Sequence, residues 1–120
     1  MIHHVSVEVS DVERSARFYD AVLTPLGWRR LVEGSDLVGW GIVRPLFFAS
    51  SRRAPGTASG HVCFGANGIP AVKGAFEGGV GAGGQPDGDP GVRPQYGPNY
   101  YSAYLLDPDG YRVEIAVGVD

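Results

Sequence analysis

Three side chains with the chemistry of metal ligands occupy matching places in the sequence. His4 opens the run HVSV, and His61 opens the similar run HVCF about half the chain length further on. Because side chains on a strand alternate between two faces, we expect both histidines to point away from the apolar face. Glu114 lies in RVEIAV, on the face opposite Val113 and Ile115. Two imidazoles and a carboxylate with open positions suit divalent iron, manganese, nickel, cobalt or zinc.

The elements that would position these residues follow the same order twice. The first half predicts a strand at 5–9, a helix that Asp11 or Ser10 caps and Pro25 and Gly27 end, and three short strands between Trp28 and Ser50. The second half predicts a strand at 61–64, a helix over 69–80 with Asn67 as its cap, and strands at 101–106 and 111–117. A turn Asp-Pro-Asp-Gly joins these last two strands. The pattern indicates two copies of a β-α-β-β-β unit.

A segment rich in glycine and proline, residues 78–98, separates the second helix from the strand that carries Ser102 and Tyr104. A loop of this length within a small domain is usually either functional or disordered. Because it falls beside the proposed site, we expect it to be a substrate-facing loop.

Composition and charge narrow the function classes. The 120 residues include 19 glycines and 9 prolines, which argues against a helical bundle and for short elements joined by turns. A hydrophobic share of 43% with 19% charged residues argues against disorder. The net charge of −3 does not indicate the basic surface that nucleic-acid binding needs. Cys63 is the single cysteine, which excludes an intrachain disulfide framework. No signal-like or membrane-spanning run is visible, so we expect a cytoplasmic protein without a membrane partner.

Three stretches carry a resemblance to a known family: IHHVSVEVSDVERSARFYDAVLTPLGW, GHVCFGA and YYSAYLLDPDGYRVEIA. Together they resemble the vicinal oxygen chelate superfamily, the glyoxalase/bleomycin resistance/dioxygenase group. The resemblance implies an α+β fold of one domain, with βαβββ modules at residues 1–52 and 53–120 that form a cup-shaped β-barrel. It also implies a divalent metal held by His4, His61 and Glu114, and a homodimer in which sites can be shared between chains.

The same resemblance implies a metal-dependent enzyme, a lyase, isomerase or transferase whose metal chelates neighbouring oxygens of a small-molecule substrate. Glyoxalase I activity is not expected, because Leu46-Phe47-Phe48 stands where that enzyme has a fourth, carboxylate ligand. A dioxygenase needs a further histidine, and the remaining His3 should point away from the cup. Fosfomycin transferases resemble the chain at Ser102 and Tyr104 but carry an arginine after the metal glutamate that is missing here. The alternative function is a sequestering protein of the bleomycin-resistance type, without catalysis.

Further residues are candidates for contact with the substrate. The catalytic candidates are Glu114 and, as proton acceptor, Tyr104, and those for substrate binding are Trp40, Phe48, Arg93, Tyr96, Tyr100 and Ser102. Each has a plainer explanation, since strand tyrosines commonly pack and loop arginines are commonly solvated. Cys63 is expected on the cup face as a small buried hydrophobe rather than a soft metal ligand or a reactive thiol. Glu8, on the same face, is expected to meet Arg112, a backbone amide or water.

Overall fold

The computed structural model describes residues 2–56 and 60–118, so Thr57 to Ser59 of the connection between the two halves lie outside it. The first half consists of β1 (Val5–Glu8), α1 (Val12–Leu23), a 3₁₀ turn (Thr24–Leu26), β2 (Arg29–Glu33), β3 (Leu37–Gly41) and β4 (Pro45–Ser50). The second half consists of β5 (His61–Gly65), α2 (Ile69–Gly81), β6 (Gln85–Val92), β7 (Tyr101–Leu106) and β8 (Arg112–Val117). Neither α-helix of these residues is long and apolar enough to cross a membrane.

Helix α1 begins and ends as the sequence predicts. The Asp11 carboxylate accepts a hydrogen bond from the Arg14 amide at 3.1 Å, which satisfies one of the free N–H groups of the first turn. Pro25 then lies in the 3₁₀ turn, and Gly27 closes it with φ of 87°, a left-handed conformation that suits glycine. The buried face of the helix consists of Val12, Ser15, Ala16, Phe18, Tyr19, Val22 and Leu23.

Helix α2 differs from the expectation at its start. Its N-cap is Gly68, which makes no side-chain cap, so the prediction that Asn67 caps the helix is wrong. Gly79 of this helix allows close packing, at the expense of helix propensity. A Cβ built on Gly79 would lie 2.6 Å from Leu105 Cδ1 and 2.8 Å from Val22 Cγ2. Glycine is therefore required at this position for the close approach of α2 to its neighbours.

The strands form two mixed four-stranded sheets, in the orders β1-β4-β3-β2 and β5-β8-β7-β6. The pairs β1/β4 and β5/β8 are parallel, and the other pairs are antiparallel. The two sheets share one core with both helices, where the rings of Phe47 and Phe64 meet edge to face at 5.2 Å. The predicted pair of βαβββ modules is confirmed; in the described residues of one chain the two sheets stay separate instead of closing into a barrel.

Most of the segment 78–98 is not the loop that the sequence predicts. It begins with the last turn of α2 and then forms β6, the edge strand of the second sheet. Strand β6 pairs with β7 through two register shifts, which accommodate Pro86 and Pro90. The loop prediction was wrong because an edge strand tolerates proline and carries no alternation of apolar residues that the sequence could reveal.

The predicted Asp-Pro-Asp-Gly turn and the tyrosine that follows it connect the two modules through side-chain hydrogen bonds, of which the one to Tyr19 is buried. The Tyr19 hydroxyl of α1 donates to Asp107 Oδ2 at 2.6 Å. The Ser10 hydroxyl donates to Asp109 Oδ1 at 2.7 Å, and the Tyr111 hydroxyl donates to a main-chain carbonyl at the end of β1 at 2.9 Å. The turn therefore fixes the second sheet to the start of α1, on the core side of the molecule.

Candidate functional site

Each sheet has one face against the shared core and one face away from it, which we call the open face. On β8, Val113 and Ile115 enter the core, so Glu114 belongs to the open face. In the sheet register Glu114 lies between Cys63 of β5 and Tyr104 of β7. The open face of the second module thus brings together His61, Cys63, Ser102, Tyr104, Arg112 and Glu114, as the alternation of the sequence predicts.

Glu114 is the centre of a hydrogen-bond cluster on this face. Its Oε1 lies 2.9 Å from His61 Nε2, and its Oε2 accepts from the Tyr100 hydroxyl at 2.7 Å. Burial raises the pKa of Glu114, but the hydrogen bonds from Tyr100 and His61 outweigh it, so the pKa lies below its ordinary value. Glu114 is therefore a carboxylate at neutral pH although it is only 3% exposed.

The two tyrosines beside Glu114 are phenols in the resting site. Burial and the hydrogen bond to Glu114 raise the pKa of Tyr100. Burial and the charge of Glu114 likewise raise the pKa of Tyr104, whose ring meets the His61 ring at 5.7 Å. Both hydroxyls are therefore protonated and can donate a proton. Either one would have to lose its proton before it could act as a proton acceptor.

Cys63 is a protonated thiol at neutral pH. Desolvation, together with the negative charge of the neighbouring Glu114, raises the pKa of Cys63 to about 12. A thiolate is the reactive and metal-binding form of cysteine. This environment therefore suppresses nucleophilic reactivity, but the expectation that Cys63 is a buried hydrophobe is wrong, because its side chain is exposed on the open face.

A pocket of about 220 Å³ opens in front of these groups. Its walls are His61, Tyr96, Tyr100, Tyr104 and Glu114. Tyr96 comes from the loop after β6, is 61% exposed, and contacts the Tyr100 ring at a centroid distance of 5.3 Å. Three rings, an imidazole and a carboxylate thus surround a space that a small molecule can enter.

Two arginines lie at the far side of Tyr104. The Arg112 guanidinium stacks on the Tyr104 ring with Cζ 3.9 Å from its centroid, and its Nε donates to Asp87 Oδ2 at 2.7 Å. Arg93 donates from Nη2 to the Asp89 carbonyl at 2.8 Å and from Nε to the Ser102 hydroxyl at 3.4 Å. Arg93 is therefore held against the sheet by several bonds and is not a freely solvated side chain.

Of the three partners expected for Glu8, Arg112 is wrong. Glu8 does not meet it, because Arg112 pairs with Asp87 of β6. Instead, Glu8 Oε2 is buried without a hydrogen-bond partner in the described part of the chain. Sequence reasoning missed Asp87 because it lies in the segment that was expected to be a loop.

His4 is separate from His61 and Glu114 in this chain. Its ring packs edge to face on Phe48 at 5.4 Å, and its Nδ1 lies 3.0 Å from Nδ1 of His3. His4 lines another pocket, next to Trp28 and Phe47, and not the one in front of Glu114. No three His, Cys, Asp or Glu side chains of residues 2–56 and 60–118 converge as metal ligands. The expectation that His3 points away from His4 is also wrong, because both residues precede β1 and its alternation.

Trp40 does not line the cup. Its side chain is fully buried on the core face of β3, where Nε1 donates to Asp20 at 2.9 Å. It packs against Tyr19 and Phe47 at centroid distances of 5.6 and 6.1 Å. The prediction is wrong for Trp40 because β3 is apolar or glycine throughout, so its sequence does not distinguish the two faces. Phe48, by contrast, is half-buried on the open face of the first module.

Comparisons with known proteins agree with this fold. Residues 1–115 match the family model described as Glyoxalase/Bleomycin resistance protein/Dioxygenase superfamily. The chain is similar to the crystal structure of a glyoxalase/bleomycin resistance protein from Albidiferax ferrireducens T118, with 28% identity, a TM-score of 0.84 and 96% of each chain covered.

Two more distant structures share the fold. The fosfomycin resistance protein FosX from Mesorhizobium loti has 20% identity and a TM-score of 0.67, over 96% of this chain and 89% of that one. TioX from Micromonospora sp. ML1 has 18% identity and a TM-score of 0.66, over 96% of this chain and 94% of that one. A search of curated proteins finds no match.

Proposed function

Because the chain belongs to the Glyoxalase/Bleomycin resistance protein/Dioxygenase superfamily, we propose that it is a metal-dependent enzyme acting on a small molecule. The reaction class is a lyase, isomerase or transferase reaction on a substrate with two neighbouring oxygens. The observation that carries the proposal is the ionised Glu114 beside His61, at the wall of a pocket that three tyrosines line.

His61 and Glu114 supply two of the three protein ligands that the proposed metal site needs. An imidazole nitrogen and a carboxylate oxygen, 2.9 Å apart, are ligands that zinc, nickel, iron, manganese and cobalt accept. Two donors leave the site incomplete within one chain, and His4 lies in another pocket. We therefore place the third ligand, His4, on a second copy, so that a homodimer forms each site from the open faces of both chains.

The bound metal would act as a Lewis acid toward an oxyanion that develops on the substrate. The side chains of this chain prepare that chemistry. The Tyr100 hydroxyl orients Glu114 by its 2.7 Å hydrogen bond and helps to keep it ionised. Tyr104 presents a phenol next to His61, from which a proton can pass to a substrate oxygen. Phe48, beside His4, supplies an apolar wall without a fourth ligand.

Metal content is the first test. We expect the purified protein to bind a divalent metal, and His61→Ala and Glu114→Ala to lose it, when measured by elemental mass spectrometry. Glu77→Ala is the matched control, since Glu77 is an exposed carboxylate on α2. A parent protein that binds no metal even after reconstitution contradicts the enzyme proposal.

Mixing variants tests the shared site. His4→Ala and Glu114→Ala should each lose the metal when pure. In a heterodimer of the two, one site carries both substitutions and the other is intact. An equal mixture refolds with about half of its dimers as heterodimers, so metal should return to about a quarter of all sites. His3→Ala controls for the neighbouring histidine. Failure of the mixture to regain metal, while each variant still dimerises, would contradict a site shared between chains.

A sequestering protein of the bleomycin-resistance type is the second candidate. It is favoured by the aromatic lining of the pocket, Tyr96, Tyr100 and Tyr104, which can hold a ligand without chemistry. Dependence on metal distinguishes the enzyme from the sequestering protein. Ligand binding that is unchanged in Glu114→Ala favours sequestration, and turnover that needs metal favours the enzyme. Oxygen uptake with catechols and ferrous iron tests the dioxygenase reaction, for which we expect no activity.

A further inference from the structure

A second pocket, of about 250 Å³, adjoins the one in front of Glu114. The two pockets share Tyr96 and Tyr104 as walls. The charged groups of the second pocket are Arg93, Arg112 and Asp87. Two guanidinium groups against one carboxylate leave this pocket positive in a protein whose net charge is −3. The positive charge is thus local to the pocket and does not follow from the composition of the chain.

Both guanidinium groups are held in place by the protein. Asp87 and the Tyr104 ring fix Arg112, while the Asp89 carbonyl and Ser102 fix Arg93. Arg93 Cζ lies 5.6 Å from the Tyr104 centroid, so both cations flank the same ring. Side chains already ordered in this way lose less conformational entropy when they bind a ligand.

Each arginine keeps N–H groups for a ligand. Nε and Nη2 of Arg93 are engaged, but its Nη1 donates to no residue in the described part of the chain. Arg112 uses only Nε in its bond to Asp87, which leaves both of its terminal nitrogens without an acceptor among the same residues. Guanidinium N–H groups pair with carboxylate and phosphate oxygens in a planar, two-bond geometry.

Gly88 of β6 keeps the pocket open between these groups. A Cβ at this position would lie 3.0 Å from Tyr104 Cδ2 and 3.4 Å from Arg93 Nη2. A side chain at Gly88 would therefore occupy the space between the ring and the guanidinium. The absence of a Cβ leaves that space free for part of a ligand.

We propose that Arg93 and Arg112 form a subsite for an oxyanion, a carboxylate or a phosphate, on the substrate of the neighbouring His61–Glu114 site. The inference rests on the proposed function and narrows it. The substrate carries neighbouring oxygens at one end and a negatively charged group at the other, and it spans the two pockets along the wall that Tyr96 and Tyr104 provide.

The test uses metal-free protein, so that the subsite is measured apart from the metal. Calorimetric titration with benzoate and with phenyl phosphate should detect binding, and the neutral benzamide should bind much more weakly. Arg93→Gln and Arg112→Gln should each weaken binding of the anion by about tenfold. Arg17→Gln, an exposed arginine on α1, is the matched control and should leave the affinity unchanged.

Arg112→Lys serves as a second variant if Arg112→Gln does not fold, and we expect it to bind the anion with intermediate affinity because it keeps the charge. The stronger of the two anions identifies the group on the substrate. Equal affinity for benzoate and benzamide, or an equal loss in Arg17→Gln, would overturn the subsite. Reconstitution of the same protein with a divalent metal reports on the proposed function separately. Anion binding by a protein that takes up no metal on reconstitution retains the subsite and rejects the enzyme.

Discussion

The open faces of the two modules have the same strand order but different chemistry. In the first sheet Ser6 of β1 lies beside Phe48 of β4, and in the second sheet Cys63 of β5 lies beside Glu114 of β8. Ser6 and Cys63 are the third residues of the two similar runs HVSV and HVCF. Phe48 is therefore the structural counterpart of Glu114. One module carries a carboxylate at this position, and the other carries a phenyl ring.

This difference explains how a repeated fold can produce an asymmetric site. Both modules supply a histidine near the start of the sheet. In the described residues, only the second module places a carboxylate against that histidine, together with the Tyr100 donor and two nearby arginines. The first module offers His4 against the apolar Phe48. Under the proposed shared site, one open face provides most of the polar chemistry, and the other provides one ligand and an apolar wall.

The largest effect is expected from substitutions at the two counterpart positions. Glu114→Gln keeps the size of the side chain and removes the charge, so we expect metal affinity to fall more than about 100-fold. Phe48→Leu leaves the ligands intact and should change metal affinity less than about threefold. Titration with zinc in the presence of a competing chelator measures both. Similar losses in the two variants would contradict the assignment of Glu114 as the ligand of this pair.

The sequence predicts the open face of the second module well, because apolar and polar residues alternate clearly along β5 and β8. Val113 and Ile115 flank Glu114, and Val62 and Phe64 flank Cys63, so the polar positions could be assigned to one face. The helix α1 and the turn at Asp107 were likewise predictable, because capping and turn residues act locally.

Other parts of the site depend on contacts that no local pattern encodes. The face of Trp40 is fixed by its hydrogen bond to Asp20, a residue on α1. Strand β6 exists because β7 offers it a pairing edge, although its own residues favour turns. The positions of Asp87 and Arg93 follow from that strand, and so the positive pocket could not be found from the sequence.

The turn at Asp107 in the second module is held by hydrogen bonds to a buried carboxylate, whereas the turn at Val43 in the first module is exposed. Substitutions in the two turns should therefore change the free energy of unfolding by different amounts. In the second module Asp107 accepts from the Tyr19 hydroxyl and from two backbone amides. Asp107→Ala leaves these buried donors unpaired, and we expect a loss of about 3 kcal/mol in the free energy of unfolding. In the first module Val43 is 91% exposed, and Val43→Ala should change stability by less than about 0.5 kcal/mol. Urea denaturation measures both, and comparable losses would contradict the role assigned to the Asp107 turn.

Substitution of two glycines of α2 by alanine should change stability in opposite directions. At Gly79 a Cβ would meet Leu105 and Val22, so Gly79→Ala is expected to cost about 1–2 kcal/mol through overpacking. At Gly81 a Cβ would meet no heavy atom within 4 Å, apart from its chain neighbours and nearby helix backbone. Gly81→Ala should therefore stabilise the protein by up to about 1 kcal/mol through helix propensity. Thermal unfolding of the two variants tests this, and stabilisation by Gly79→Ala would show that α1 and α2 do not pack as closely as described.

The smallest effect concerns the pH dependence that Asp107 gives to the second module. Burial raises the pKa of Asp107 above its ordinary value of 3.8, although hydrogen bonds from Tyr19 and two amides oppose the shift. The folded state then holds this proton more tightly than the unfolded state, so the contribution of Asp107 to stability falls as the pH rises from 3.8 through the raised pKa. Asp107→Asn cannot ionise at this position, while all other carboxyl groups are shared with the parent. We therefore expect the parent's stability relative to Asp107→Asn to decrease as the pH rises from about 4 to 6, when urea midpoints are compared at each pH. A relative stability that increases over this range would mean that the hydrogen bonds at Asp107 outweigh its burial, and that the turn of the second module is strengthened by its charge.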